Sequence, residues 1–402
     1  MLVVTTHGLV SFFMFIDNTY FVENMYYDPI SHIFLNGTIV IQAFFIISGF
    51  LVTYNLEIYA EKHAMRLNLF FKCFIMRWLR ITPAYLIVLG FTSTWARLLG
   101  TGPAWHIVVG DESSDCRKYW WQHILYINNY FDGSQCSQHS WYLAGEMQLH
   151  ILGVCIALVC GTRRSRVTIL SSLALVGFVL PAIQIYLQDL DALILASPSA
   201  ANTFFVNEKT FNHLYKPMHN NLFAYVTGLS LGYLVYYLQK INFNMQKYRK
   251  YNFWYWLLVP IAMLIMLVGN IFYKDGPRES ILVRILYGTL SKPIYCVVVA
   301  LFIAGAIFKV ENFIRVVCEW RGWVVPGRLS YSAFLLHFTL IKLLLGANIS
   351  LQHVSLKNQI LQSLQFSLLS MCAAVPLHIL VEMPFWKLSK ILFSSRSLSK
   401  NN

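Results

Sequence analysis

Within the apolar run that opens at Trp141 and continues to Cys160, two side chains are out of keeping: Glu146 and His150. With Tyr142 they stand at i, i+4 and i+8, so a helix projects all three from one face. An acid carried into hydrocarbon costs roughly 2.5–3.5 kcal/mol on insertion scales unless a partner or a water-filled cavity receives it. Two further apolar runs each offer an ionisable histidine: His7, in Val3-Val-Thr-Thr-His-Gly8, and His337, closing Ser330-Tyr-Ser-Ala-Phe-Leu-Leu-His337. A histidine beside a carboxylate is a base with its orienting acid. The sequence therefore predicts that His7, Glu146 and His337 converge from three helices. The plainer alternative is that each is a packing or hydrogen-bonding group that joins helix to helix. In Met76-Arg-Trp-Leu-Arg-Ile-Thr-Pro-Ala-Tyr85, Arg77 and Arg80 stand at i, i+3, as a phosphate clamp or as a plain positive-inside anchor. They are expected just before a helix whose first turn holds Pro83.

The elements that must carry these groups follow from composition. The chain has 402 residues, 57% of them hydrophobic and only 12% charged, with a mean hydropathy of +0.54. That is half the charge of a soluble domain, and the apolar runs recur along almost the whole length. The sequence predicts an all-α, polytopic membrane protein with about ten spans, near 1–16, 37–57, 79–99, 141–160, 167–187, 220–238, 253–273, 284–308, 326–347 and 360–383. One transmembrane domain over 1–393 is expected, with an outer loop at 101–140 and a disordered cytosolic tail at 394–402. Sixteen residues reach only about 24 Å, so the first span is expected to begin upstream of Met1.

Lys and Arg concentrate in alternate connections, around 62–80, 163–166, 240–250, 309–321 and 387–400. By the positive-inside rule those connections and both termini are cytosolic. This distribution, rather than a basic face, accounts for the net charge of +13 and argues against nucleic acid as a partner. The sequons Asn36-Gly-Thr38 and Asn348-Ile-Ser350 then fall outside, as do Cys116 and Cys136, which are expected to pair in an oxidising space. The other six of the eight cysteines are spread singly in or beside apolar runs, as packing residues. There is no P-loop, HExxH, GxSxG or post-strand GxGxxG, and no metal-ligand spacing among the histidines. No bound cofactor or metal is expected.

His7-Gly8, Ala43-Phe-Phe-Ile-Ile-Ser-Gly-Phe-Leu-Val52, Arg77-Trp-Leu-Arg-Ile-Thr-Pro-Ala-Tyr85, Trp141-Tyr-Leu-Ala-Gly-Glu-Met-Gln148 and Leu329-Ser-Tyr-Ser-Ala-Phe-Leu-Leu-His337 together resemble the acyltransferase 3 family. The Trp-rich loop between Cys116 and Cys136 is similar to the animal branch named nose resistant to fluoxetine. The resemblance implies a membrane O-acyltransferase that moves an acyl group from cytosolic acyl-CoA, its co-substrate, to a hydroxyl acceptor at the outer or lumenal side. That acceptor would be a lipid, sterol, glycan or small molecule, met in the membrane lipid of the endoplasmic reticulum or plasma membrane. It also implies His7 as general base, Glu146 as its orienting or charge-stabilising acid, and Arg77 and Arg80 on CoA phosphates, with Tyr142 and His337 on substrate. Where the branch often carries an acid before the Phe-Phe pair, this chain has Gln42. The start of the first helix and the upstream extracellular domain of animal members are not in this sequence. The competing expectation is a non-catalytic carrier or binding protein for lipids or small apolar molecules.

Overall fold

The computed structural model describes residues 7–8, 16–197, 200–201, 203–244, 247, 252–273 and 277–398. Among these the architecture is helical, with one isolated bridge between Ile16 and Gln352 and no strand. The main helices are α1 (Thr19–Tyr27), α2 (Ile41–Ala60), α3 (Asn68–Thr94), α4 (Asp111–Ile124), α5 (Trp141–Val159) and α6 (Arg163–Gln188). They continue with α7 (Leu222–Lys240), α8 (Leu258–Val268), α9 (Ile281–Ile307), α10 (Val324–Gly346), α11 (Leu356–Leu377) and α12 (Met383–Leu398). Eight helical stretches among the described residues are long and apolar enough to cross a membrane. The 19 residues of α7 are also long enough, but they are diluted by Gly, Ser, Thr and Tyr. Most of the span expected at 1–16 lies outside the described residues. The last helix is described as far as Leu398, and the remainder of the expected tail lies outside.

Helix starts follow local chemistry. Thr162 and Ser165 form a reciprocal capping box on α6, while Ser280 and Ser355 cap α9 and α11. The sequence places the start of α3 too late. The helix begins at Asn68, so Pro83 is interior rather than first-turn, and Arg77 lies nine residues inside. Lys72, Arg77 and Arg80 mask this stretch in a hydropathy reading. Neighbouring helices and side chains let a bundle tolerate interior proline, as at Pro181, Pro293 and Pro376.

The tightest seam joins α2 to α7. A methyl group added at Gly49 would stand 2.5 Å from the Tyr225 carbonyl, and one at Gly228 would overlap the Ile46 carbonyl. Gly228-Leu-Ser-Leu-Gly232 is thus a small-xxx-small surface that brings the two backbones together. The connection 95–140 folds over one end of the bundle and is closed by a Cys116–Cys136 disulfide, the pairing expected from sequence. Of the two sequons, Asn36 is a poor glycan acceptor: it is buried, and its Nδ2 donates to the Met266 carbonyl at 2.8 Å.

Candidate active site

At the disulfide-bearing end the helices surround a partly open cavity. Its wall is aromatic, with Trp141, Tyr142, Phe204, Phe205, Phe211, Tyr215, Phe334 and Phe338, and its polar groups include His7, His139, Gln138 and Thr38. Phe334, His337 and Phe338 stand at i, i+3, i+4 on α10, which turns all three to one side.

Hydrogen bonds fix the tautomers of the histidine pair. His337 Nδ1 lies 2.6 Å from the Phe334 carbonyl oxygen, which can only accept, so Nδ1 of His337 carries its proton. The neutral ring then presents a lone pair at Nε2, and His7 Nδ1 donates to it at 2.9 Å. The basic nitrogen of His7 is consequently Nε2. The two rings stack at 5.1 Å and 9°, and His139 packs edge-on against His337 at 5.1 Å and 72°. The expectation that His7 and His337 meet describes the geometry; the expectation that Glu146 orients His7 does not. His337 holds that position, by a neutral hydrogen bond instead of a charged one.

The sequence does not single out His139, because the apolar run opens only at Trp141 and the residue falls in the polar loop before it. Several contacts fix the segment on either side of it. The Ser137 amide donates to Glu112 Oε1 at 3.1 Å, directly after the disulfide. Glu112 also pairs with Lys342 at 3.3 Å, five residues along α10 from His337. Tyr85 on α3 donates to Ser140 Oγ at 2.8 Å and lies 2.6 Å from His123 Nδ1. His123, outside the spans, is lowered by burial to about 4. The stapled loop and α10 are thereby locked together around His337.

Glu146 belongs to a second cluster, deeper along α5. It forms an ion pair with Arg77 and accepts a hydrogen bond from Ser48 on α2. Its side chain is 4% exposed and that of Arg77 25%. A buried carboxylate survives there because the pair and the hydroxyl satisfy it together. Arg80 is exposed, whereas Arg77 is turned inward onto Glu146. Beside the pair, His150 is 8% exposed with neither ring nitrogen partnered among the described residues, and the Tyr225 hydroxyl is likewise unpartnered. Tyr142 connects the clusters: it lines the cavity, packs on Phe45 and Phe334, and sits one turn above Glu146. Among the described residues no group of His, Cys, Asp and Glu is placed to hold a metal ion.

Fold and site together define a multi-pass membrane protein with a histidine pair at the wall of an apolar chamber. A model of the acyltransferase 3 family, described as an acyltransferase domain, matches residues 1–382. The chain belongs to that family. It is similar to nose resistant to fluoxetine protein 6 of Caenorhabditis elegans, 22% identical over 391 residues, which cover 92% of this chain and 46% of the relative. The chain therefore spans about half the length of this curated relative. No solved structure matches.

Proposed function

We propose that the chain is an O-acyltransferase moving an acyl group from cytosolic acyl-CoA to a hydroxyl acceptor held in the aromatic cavity. The disulfide-bearing end faces the outer or lumenal side in this reading, and both termini face the cytosol. One observation carries the assignment: the hydrogen-bonded relay Phe334 carbonyl, His337, His7 at the cavity wall. His7 Nε2 takes the proton of the acceptor hydroxyl while that oxygen attacks the thioester carbonyl. The C–S bond then breaks, and the proton held by His7 passes to the departing thiolate, giving ester and free CoA. His337 acts through His7, accepting its Nδ1 proton so that Nε2 stays basic; it is a positioning residue. Arg80 and its basic neighbours on the cytosolic flank of α3 meet CoA phosphates. The Arg77–Glu146–Ser48 cluster lies one turn along α5 from Tyr142, which lines the cavity and meets substrate there.

Thioester consumption by the purified chain in lipid nanodiscs tests the reading. His7→Ala should lower turnover about 10²–10⁴-fold, the range for loss of a general base. His337→Ala should lower kcat and shift the acid limb of the pH–rate profile, with little change in KM for acyl-CoA. Unchanged turnover in the His7 variant would overturn the assignment. The aromatic lining also suits a carrier of apolar molecules; ligand uptake that needs no acyl-CoA and survives His7→Ala would favour that instead.

A further inference from the structure

A second, smaller cavity adjoins the first, and Thr38, Ile194 and Tyr215 line both. Its polar wall comprises Asn36, Thr38, Thr210, Ser291 and Lys292. Lys292 lies on α9, eleven residues in from Ile281, which is roughly 16 Å along the helix. An ammonium at such depth persists only where a partner or a polar cavity receives it. The described contacts of Lys292 are weak for a cation. Nζ stands 3.5 Å from the Leu214 carbonyl, at the limit of a hydrogen bond, and 5.9 Å from the centre of the Tyr215 ring. Other inward cations have acids: Arg77 meets Glu146, Lys216 meets Asp132, Arg284 meets Asp189 and Lys342 meets Glu112. Among the described residues no carboxylate stands within ion-pair distance of Lys292.

A second side chain of the same wall points to a ligand. Asn36 is 5% exposed; its Nδ2 is committed to the Met266 carbonyl, and its Oδ1 has no partner among the described residues. Thr210 Oγ1 accepts from the Asp191 amide at 3.2 Å, and its hydroxyl donates to the Glu208 carboxylate. The wall thus offers one cation for an anion and, beside it, one unmet acceptor for a hydroxyl or other donor.

We infer that the acceptor is an anionic amphiphile: its carboxylate or phosphate sits on Lys292, and its apolar body crosses the Thr38–Tyr215 boundary into the aromatic cavity. A hydroxyl on that body then reaches His7. The inference rests on the acyl-transfer reading for the identity of the reacting hydroxyl, but the anion site stands on Lys292 alone.

Binding and transfer are measured separately, on the full chain in nanodiscs of neutral lipid. The probes are a long-chain hydroxy fatty acid, its methyl ester, a lysophosphatidic acid and inorganic phosphate. The acid and the lysophosphatidic acid should bind about tenfold or more tightly than the ester, the discrimination expected of one charge-assisted contact. Inorganic phosphate should neither bind nor compete, which separates a lipid headgroup from a free anion. Lys292→Met should erase the preference for acid over ester, and Lys292→Arg should keep it. His7→Ala should retain the binding preference while losing transfer. Equal binding of acid and ester by the unsubstituted chain would overturn the inference, whatever the transfer assay gives. A binding preference without transfer to any probe would leave the anion site standing and count against the acyl-transfer reading instead.

Discussion

At the scale of the residue, the buried polar groups divide into two sets with different physics. His7 and His337 share a neutral hydrogen bond, whereas Arg77 and Glu146 form an ion pair deep in the bundle. A pair of that kind stabilises little compared with an apolar replacement, but losing one member strands the other. Glu146→Gln should therefore destabilise the chain by about 3–5 kcal/mol, and the double change Arg77→Met with Glu146→Leu by less than the single one. Thermal unfolding in one detergent checks the ranking; a double variant weaker than Glu146→Gln would refute it. His7, His337 and Glu146 were legible because an ionisable side chain in an apolar run stands out in any sequence. Which group meets which was not, since pairing depends on how α3, α5 and α10 are rotated about their axes. Ser48 and His139 were missed for a related reason: a serine in an apolar helix is ordinary, and a histidine beside a loop looks solvated.

At the scale of the element, the spans were legible wherever apolar residues ran unbroken, and their ends were not. The start of α3 was hidden by the cations it carries, and the seam between α2 and α7 by glycines whose close contacts only three dimensions reveal. The stapled loop behaves as one element because the disulfide closes it on itself while Tyr85, through His123 and Ser140, and Lys342, through Glu112, join it to the bundle. Its pH dependence follows from His123, lowered by burial from 6.5 to about 4. Between those two values the unfolded chain binds more protons than the folded one, so stability falls as pH falls. The loss amounts to at most about 1.4 kcal/mol per pH unit below pH 6.5 and levels off under pH 4. Hydrogen exchange of residues 111–140 should be flat above pH 7 after correction for intrinsic rates, and should rise as the medium is acidified from 6.5. A His123→Gln variant should show a smaller rise; an identical rise in both proteins would assign the effect elsewhere.

At the scale of the whole molecule, a set of crossing helices surrounds two adjoining cavities, and the family match over residues 1–382 gives that arrangement its chemical class. Hydropathy, loop charge and scattered motifs made the membrane architecture readable in advance. The cavities were not, because a void is bounded by residues remote in sequence, such as Thr38, Phe204 and Phe338. The central claim is that His337 serves His7 and has no separate role in turnover. A double-mutant cycle on steady-state acyl transfer, with His7→Ala, His337→Ala and the pair together, tests it most directly. The relay predicts that the double variant is no slower than His7→Ala alone. Losses that multiply, each histidine contributing its full factor independently, would contradict it.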